Sequence, residues 1–162
     1  MVWSRLTAIF RKLFFSRSTS SGKDPGLSVE IAPAEEFTRF IFTKNHFAVQ
    51  KGRVKPNALM PMFNQESGRL ETSIYRCTCL PDAEIWQLGR VHVEDPQSGR
   101  LIKARGFGPF ELVTSQELSL DVNGEPFPIH VDIVGWPEEK DACMMKATEV
   151  ADKLKLELAP VE

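Results

Sequence analysis

The 162 residues, 42% hydrophobic and 26% charged, suffice for one domain of ordinary size and are too few for a second large one. That balance excludes wholesale disorder, a collagen-like chain and a disulfide scaffold. The formal net charge of −2 conceals a gradient: residues 1–55 hold ten Lys/Arg against four Asp/Glu, 56–110 six against six, and 111–162 four against twelve.

Met1 to Lys23 carries five basic residues and no acid, while Trp3, Leu6, Ile9, Phe10, Leu13 and Phe14 recur at three- and four-residue spacing. The pattern predicts a basic amphipathic helix. Arg11-Lys12 splits its apolar runs, and each is far shorter than the roughly 20 residues that cross a bilayer. Such a helix serves as an interfacial membrane anchor or a partner-binding helix through Trp3, Leu6, Phe10, Leu13 and Phe14, or as a mitochondrial presequence, or else it docks on its own domain. Ser16 to Gly26 reads as a Ser/Gly/Pro-rich linker. The expected division is therefore 1–26 for helix and linker and 27–162 for one globular domain.

Pro33 suits the first turn of a helix and Glu35 and Glu36 its N-terminal dipole, so a short helix is expected to about Thr43, burying Phe37, Phe40 and Ile41. Leu70 to Cys79 is β-prone, with Leu70, Thr72, Ile74 and Arg76 on one face and Glu71, Ser73, Tyr75 and Cys77 on the other. Pro81-Asp82 opens a helix carrying Ile85, Trp86 and Leu88, expected to stop at Gly89. A strand over Leu101 to Arg105 follows the Ser98-Gly99 turn. Gly106-Phe107-Gly108, followed by Pro109 and with no helix expected behind it, reads as a bend in a strand or loop rather than a phosphate-binding turn. Asn123-Gly124 marks a tight turn, and Ile129, Val131 and Ile133 alternate with His130 and Asp132 in a strand. The last helix is expected from about Glu138, packing Ala142, Met145, Val150, Ala151 and Leu154. The fold class is α+β: one small mixed or antiparallel sheet with two or three packed helices, preceded by the basic helix.

P-loop, dinucleotide-turn, zinc-protease and nucleophile-elbow patterns are absent, which removes the usual sequence support for those chemistries. Cys77 and Cys79 lack the second close pair that a tetrahedral metal site normally uses, so no metal and no cofactor are expected. With an odd number of cysteines, two of them roughly 6.5–7 Å apart on a strand, a reducing compartment is the natural expectation. The location is read as cytoplasmic, with a membrane-peripheral position through the first helix, or mitochondrial in a eukaryote, as alternatives.

Thr38 to Gln65 contains Arg39, Lys44, Lys51, Arg53, Lys55 and His46 and no acid. If extended, Lys51, Arg53 and Lys55 project from one face about 6.5–7 Å apart, a spacing close to that of consecutive phosphates. The plain alternatives are a solvated edge strand or neutralisation by the acidic last third. Phe47 and Phe63 can stack bases or belong to the core. His130 beside Asp132 can be held in one tautomer and work as a general base, or be a structurally bonded histidine.

The strings Lys51-Gly52-Arg53-Val54-Lys55-Pro56, Leu70 to Arg76, Ile85 to Gly89 and His130 to Pro137 resemble a group of small, uncharacterised bacterial proteins over about residues 43–160. The resemblance implies a bacterial, soluble, single-domain protein and lends no activity, cofactor or catalytic residue. In that group an Arg often precedes the histidine, where this chain has Ile129.

Three functions follow as expectations. The first is an intracellular binding module whose basic face at Lys44, His46, Lys51, Arg53 and Lys55 engages nucleic acid or an acidic protein surface. The second is a metal-independent enzyme acting on RNA or a nucleotide, with His130 as acid/base, Arg53 and Arg76 as charge stabilisers and Ser73 as positioning group, all lining one cleft. The third makes the first helix a membrane tether for the rest.

Overall fold

The computed structural model describes residues 30–125 and 127–161. The predicted N-terminal helix and its linker lie outside the described residues, so the positions expected to meet a membrane or partner lie outside them too. In chain order the strands are β1 Glu36–Ile41, β2 Phe47–Ala48, β3 Arg53–Val54, β4 Met62–Asn64, β5 Arg69–Arg76, β6 Ala104–Pro109, β7 Ser119–Asp121, β8 His130–Val134 and β9 Lys155–Leu158. The helices are α1 Asp82–His92, α2 Glu111–Thr114 and α3 Lys140–Ala151.

The main sheet runs β7-β8-β5-β1-β6-β9, with β4 paired to β5 and the β2-β3 hairpin as a second small sheet. Its pairings are antiparallel. Among the described residues the fold is thus mixed α+β with three helices, and no helix there is long and apolar enough to cross a membrane. Alternation along the strands feeds two cores. On one face Phe37, Ile41, Ile74, Val131 and Ile133 meet Cys143, Ala147, Val150 and Ala151 from α3. On the other, Phe40, Tyr75 and Cys77 meet Ile85, Trp86 and Leu88 from α1. Burial of such side chains contributes about 1.5–3 kcal/mol each, the main source of stability.

Residues 36–41 form a central strand, not the expected helix. Pro33 and Glu35 close a turn instead, with the Glu35 N–H donating to Ala32 O and the Ala32 N–H donating to the Glu35 carboxylate, both at 2.9 Å. Phe37, Thr38, Phe40 and Ile41 are all buried because both faces of β1 are covered, and a strand covered on both sides has no polar alternation to advertise it. Gly89 does not end α1, which continues to His92. An added Cβ at Gly89 would meet Phe40 Cζ and Ile102 Cδ1, each at 2.7 Å, so the glycine is there for close approach. Gly106 and Gly108 lie within β6, and the single-turn α2 follows, where no helix was expected. In α3 Met145 faces solvent at 72% exposure rather than the core, and Leu154, though buried, falls beyond the helix.

The segment between β1 and β4 carries the acid-free stretch. Phe47 and Val54 pair across the β2-β3 hairpin and are both buried, anchoring it on the α3 side of the sheet. Val54 Cγ2 would lie 2.8 Å from a Cβ at Gly106, so a side chain there would lift the hairpin away.

Candidate functional site

With Phe47 and Val54 turned inward, the polar residues of the hairpin turn outward: Lys44, Lys51 and Arg53 are exposed and His46 and Lys55 half-buried. Lys51 lies in a 3₁₀ turn that ends at Gly52 (φ 58°), so Lys51, Arg53 and Lys55 do not form the expected extended row. Arg53 and Lys55 still flank the buried Val54. The Lys55 N–H donates to His46 O at 2.9 Å, holding those two residues side by side. Burial pulls the His46 pKa below its ordinary value, and nearby Arg39 and Lys55 push it further in the same direction. Arg39, His46 and Lys55 therefore share one electropositive neighbourhood.

Among the described residues no carboxylate of the last third forms an ion pair in this neighbourhood, although Asp132 acts electrostatically on Arg39. Three of its carboxylates pair elsewhere: Asp121 with Arg69, Glu157 with Arg105, and Glu117 with Lys146. Among the described residues Arg39, Lys44, Lys51, Arg53 and Lys55 form no ion pair.

Arg39 owes its position to a split in the sheet. β1 and β5 pair only at Phe37↔Arg76 and Thr38↔Tyr75. Beyond that they part, and the Arg39 side chain spans the opening: Nη1 donates to Ser73 O at 2.7 Å and Nε to Ala58 O at 2.9 Å. The opening is a cleft of about 330 Å³ whose walls include Arg39, Arg100, Tyr75, Phe42, Met62 and Phe63. Arg100 projects its guanidinium over the Phe42 ring, 4.2 Å from the centroid. Burial raises the Tyr75 hydroxyl pKa, while Arg39 and Arg100 draw it back. Phe47 belongs to the core, but Phe63 is 63% exposed beside this cleft. One acid, Glu71, is also on the wall, and it is tied to Asn64, Ser67 and Arg69.

The second expected constellation is only partly assembled. Ser73 and His130 meet through Asp132: Ser73 Oγ donates to Asp132 Oδ1 at 3.2 Å, and His130 Nε2 lies 3.4 Å from the same oxygen. The Glu125 N–H donates to Asn123 Oδ1, while Asn123 Nδ2 donates to Asp132 Oδ2, which fixes the amide's orientation. His130 Nδ1, 3.1 Å from Asn123 Oδ1, is consequently the donor in that bond. The carboxylate stands between hydroxyl and imidazole, an order that does not activate serine, since the base must contact the nucleophile. Arg53 stands on the separate hairpin, and Arg76, on the opposite face of β5 from Ser73, pairs with Glu35 at 2.6 Å. The four residues named for the enzyme reading are not brought to one cleft.

The network pins the loop before β8 to the sheet. Burial holds the His130 pKa below the ordinary imidazole value, although Asp132, Glu71 and Asp121 pull it upward. With a lowered folded value the unfolded chain binds the proton more readily. Stability from this group is intact above about pH 6.5 and declines as pH falls toward the folded value.

The cysteines are free. β5 ends at Arg76, so the pair expected on one strand is divided: Cys77 is buried and pushed up to about 12, while Cys79 is exposed in the following turn. Cys143 is buried, raised by that burial, and donates its S–H to Pro137 O at 3.0 Å. No His, Cys, Asp or Glu group suited to a metal ion occurs among the described residues. A disulfide reagent at pH 8 is expected to titrate one thiol rapidly and two more only after denaturation. Cys79→Ser should abolish the rapid phase, and two rapid equivalents in the unaltered protein would contradict the assignment.

Neither the Arg39 cleft nor Arg100 stood out in the sequence as a site, because Arg39, Tyr75 and Arg100 come from separate elements. The acid-free run around Arg39 was the only local signal. Comparison with protein-family models, curated proteins and solved structures gave no match. The functional reading therefore stands on these residues and their chemistry.

Proposed function

We propose that the globular part is a binding module whose basic hairpin, with Arg39 behind it, engages single-stranded nucleic acid. The observation that carries this reading is the set of cations at Arg39, Lys44, Lys51, Arg53 and Lys55, left without an ion pair among the described residues, while Asp121, Glu157 and Glu117 of the last third pair elsewhere. A positive surface of this kind attracts a polyanion over several ångströms and releases counterions when it binds. Nucleic acid is preferred to an acidic protein because Phe63, exposed beside the Arg39 cleft, offers the π-face on which an unpaired base stacks.

The test is fluorescence anisotropy with a single-stranded RNA oligonucleotide over a salt series, using the full chain. Affinity should fall steeply with salt, and K51A/R53A/K55A should weaken binding at least tenfold. The triple variant should also flatten the log–log salt slope by about 2, the expectation for three lost phosphate contacts on a single strand. Phe63→Ala should weaken RNA binding severalfold and leave polyglutamate binding unchanged. Salt-insensitive binding, or an unaltered slope in the triple variant, overturns the proposal. Equal losses for RNA and polyglutamate in Phe63→Ala reassign the partner to an acidic protein.

A further inference from the structure

The cleft between β1 and β5 has features the hairpin lacks: it is concave, partly apolar, and holds cationic groups that the fold leaves underused. A guanidinium has five N–H donors, and Arg39 commits one from Nε and one from Nη1 to backbone carbonyls. The remaining donors have no carboxylate acceptor among the described residues. The Tyr75 side chain is buried, yet its hydroxyl makes no hydrogen bond to a described residue and is not sealed from the cleft. Arg100 stands on the same wall, from the segment after α1. Against them lie Phe42, Met60, Met62 and Phe63, of which Met62 and Phe63 are largely exposed.

Groups that converge in this way suit an anion carried on a flat apolar body. Two guanidinium groups and a phenolic hydroxyl supply more charge and more donors than one carboxylate can use, and they match the terminal oxygens of a phosphate monoester. The sulfurs and the phenyl ring of the opposite wall suit an aromatic base. The volume, about 330 Å³, is at the small end of the range for ligand pockets, enough for one such unit and no more. Two carboxylates oppose an anion: Glu71 on the wall, occupied by Asn64, Ser67 and Arg69, and Asp132, which acts on Arg39 and Tyr75 and is occupied by Ser73 and Asn123.

We propose that this cleft is a nucleoside-monophosphate site, with the phosphate held by Arg39, Arg100 and the Tyr75 hydroxyl and the base laid against Met62 and Phe63. The inference deepens the proposed function, with which it shares Arg39 and Phe63, by naming a defined pocket and a ligand unit; Arg100 and Tyr75 belong to the pocket alone and Lys51, Arg53 and Lys55 to the hairpin alone, so the failure of one is distinguishable from the failure of the other.

Isothermal titration of the full chain with AMP, adenosine and inorganic phosphate tests it. AMP is expected to bind at least tenfold more tightly than adenosine or phosphate. Arg39→Gln and Arg100→Gln should each weaken AMP about tenfold, as expected for a charge-assisted contact, and Tyr75→Phe about threefold or more. Arg100 is exposed, so its variant gives a reading even if Arg39→Gln folds poorly. K51A/R53A/K55A should retain AMP binding. No AMP binding at millimolar concentration, adenosine binding as well as AMP, or AMP binding indifferent to both Arg100→Gln and Tyr75→Phe overturns the site. RNA binding through the hairpin that persists under those outcomes leaves the proposed function standing.

Discussion

Gly89→Ala is expected to lower stability, although replacing a mid-helix glycine by alanine ordinarily raises it by about 0.5–1 kcal/mol. The sign is decided by Phe40. The new Cβ would sit 2.7 Å from Phe40 Cζ, 2.8 Å from Phe40 Cε1 and 2.7 Å from Ile102 Cδ1. Ile102 can turn its terminal methyl away, but the Phe40 ring is wedged against Tyr75 and Trp86, with centroids 5.4 and 6.3 Å distant. Overpacking of this kind costs about 1–3 kcal/mol, which exceeds the helix gain. A net loss of about 1–2 kcal/mol should appear as a Tm lower by about 2–8 °C, and Gly89→Val should roughly double it. Phe40→Leu should recover part of the loss in combination with Gly89→Ala, because it opens the contested space. Stabilisation by Gly89→Ala would mean that α1 does not press on β1 as described.

The same glycine marks where sequence reading ran out. Pro81-Asp82 located the start of α1 because the signal is local: proline fixes φ and the acid complements the helix dipole. A glycine after an apolar run looks like a stop by the same local logic, and only the facing Phe40 ring reveals that the helix needs a missing side chain in its interior. β5 was legible from its β-prone residues, Thr72, Ile74 and Tyr75, and β8 from two faces that differ in kind. β1 was not, since burial on both faces erases the alternation, and Pro33 with Glu35-Glu36 imitates a helix start. β7 and β9 were missed for another reason: strands of three and four residues owe their existence to the edges they pair with, β8 and β6, rather than to their own pattern.

The candidate site divides along the same line. A run of sequence without acids shows its charge directly, and the cations of the hairpin form no ion pair among the described residues, while Asp121 and Glu157 of the last third reach Arg69 and Arg105 in the middle third. The cleft was invisible because it exists only where β1 and β5 separate, bringing Arg39, Tyr75 and Arg100 together from positions far apart in the chain. The His130 network shows the converse. His130 and Asp132 were noticed for their chemistry, but Asn123 and Ser73 each engage one oxygen of the carboxylate, and bonds of this kind describe a structural tie more than a proton relay.

A second large effect is expected at Arg105, which is 2% exposed in the centre of the α1 face. Its guanidinium bonds Asp82, just inside α1, at 2.5 Å and also Glu157 on β9, and it lies 4.8 Å from the Phe107 ring centroid and 5.4 Å from that of Trp86. One side chain thus ties a helix, a central strand and the edge strand together. Removing one member of a buried pair generally costs about 3–5 kcal/mol; here Asp82 and Glu157 remain partly hydrated, which reduces the penalty to about 2–4 kcal/mol for Arg105→Ala. Part of that loss is packing of the aliphatic stem, so Arg105→Met should recover some of it. Arg105→Lys should not recover the rest, because an ammonium cannot span both carboxylates in the plane that the guanidinium uses. Urea unfolding followed by far-UV circular dichroism gives the comparison, with Arg69→Ala as the control. Arg69 also contacts two carboxylates, Glu71 and Asp121, but at 41% exposure in high dielectric, so its loss should be small. Equal shifts in the midpoint for Arg105→Ala and Arg69→Ala would show that the number of ion pairs, and not their burial, governs this fold.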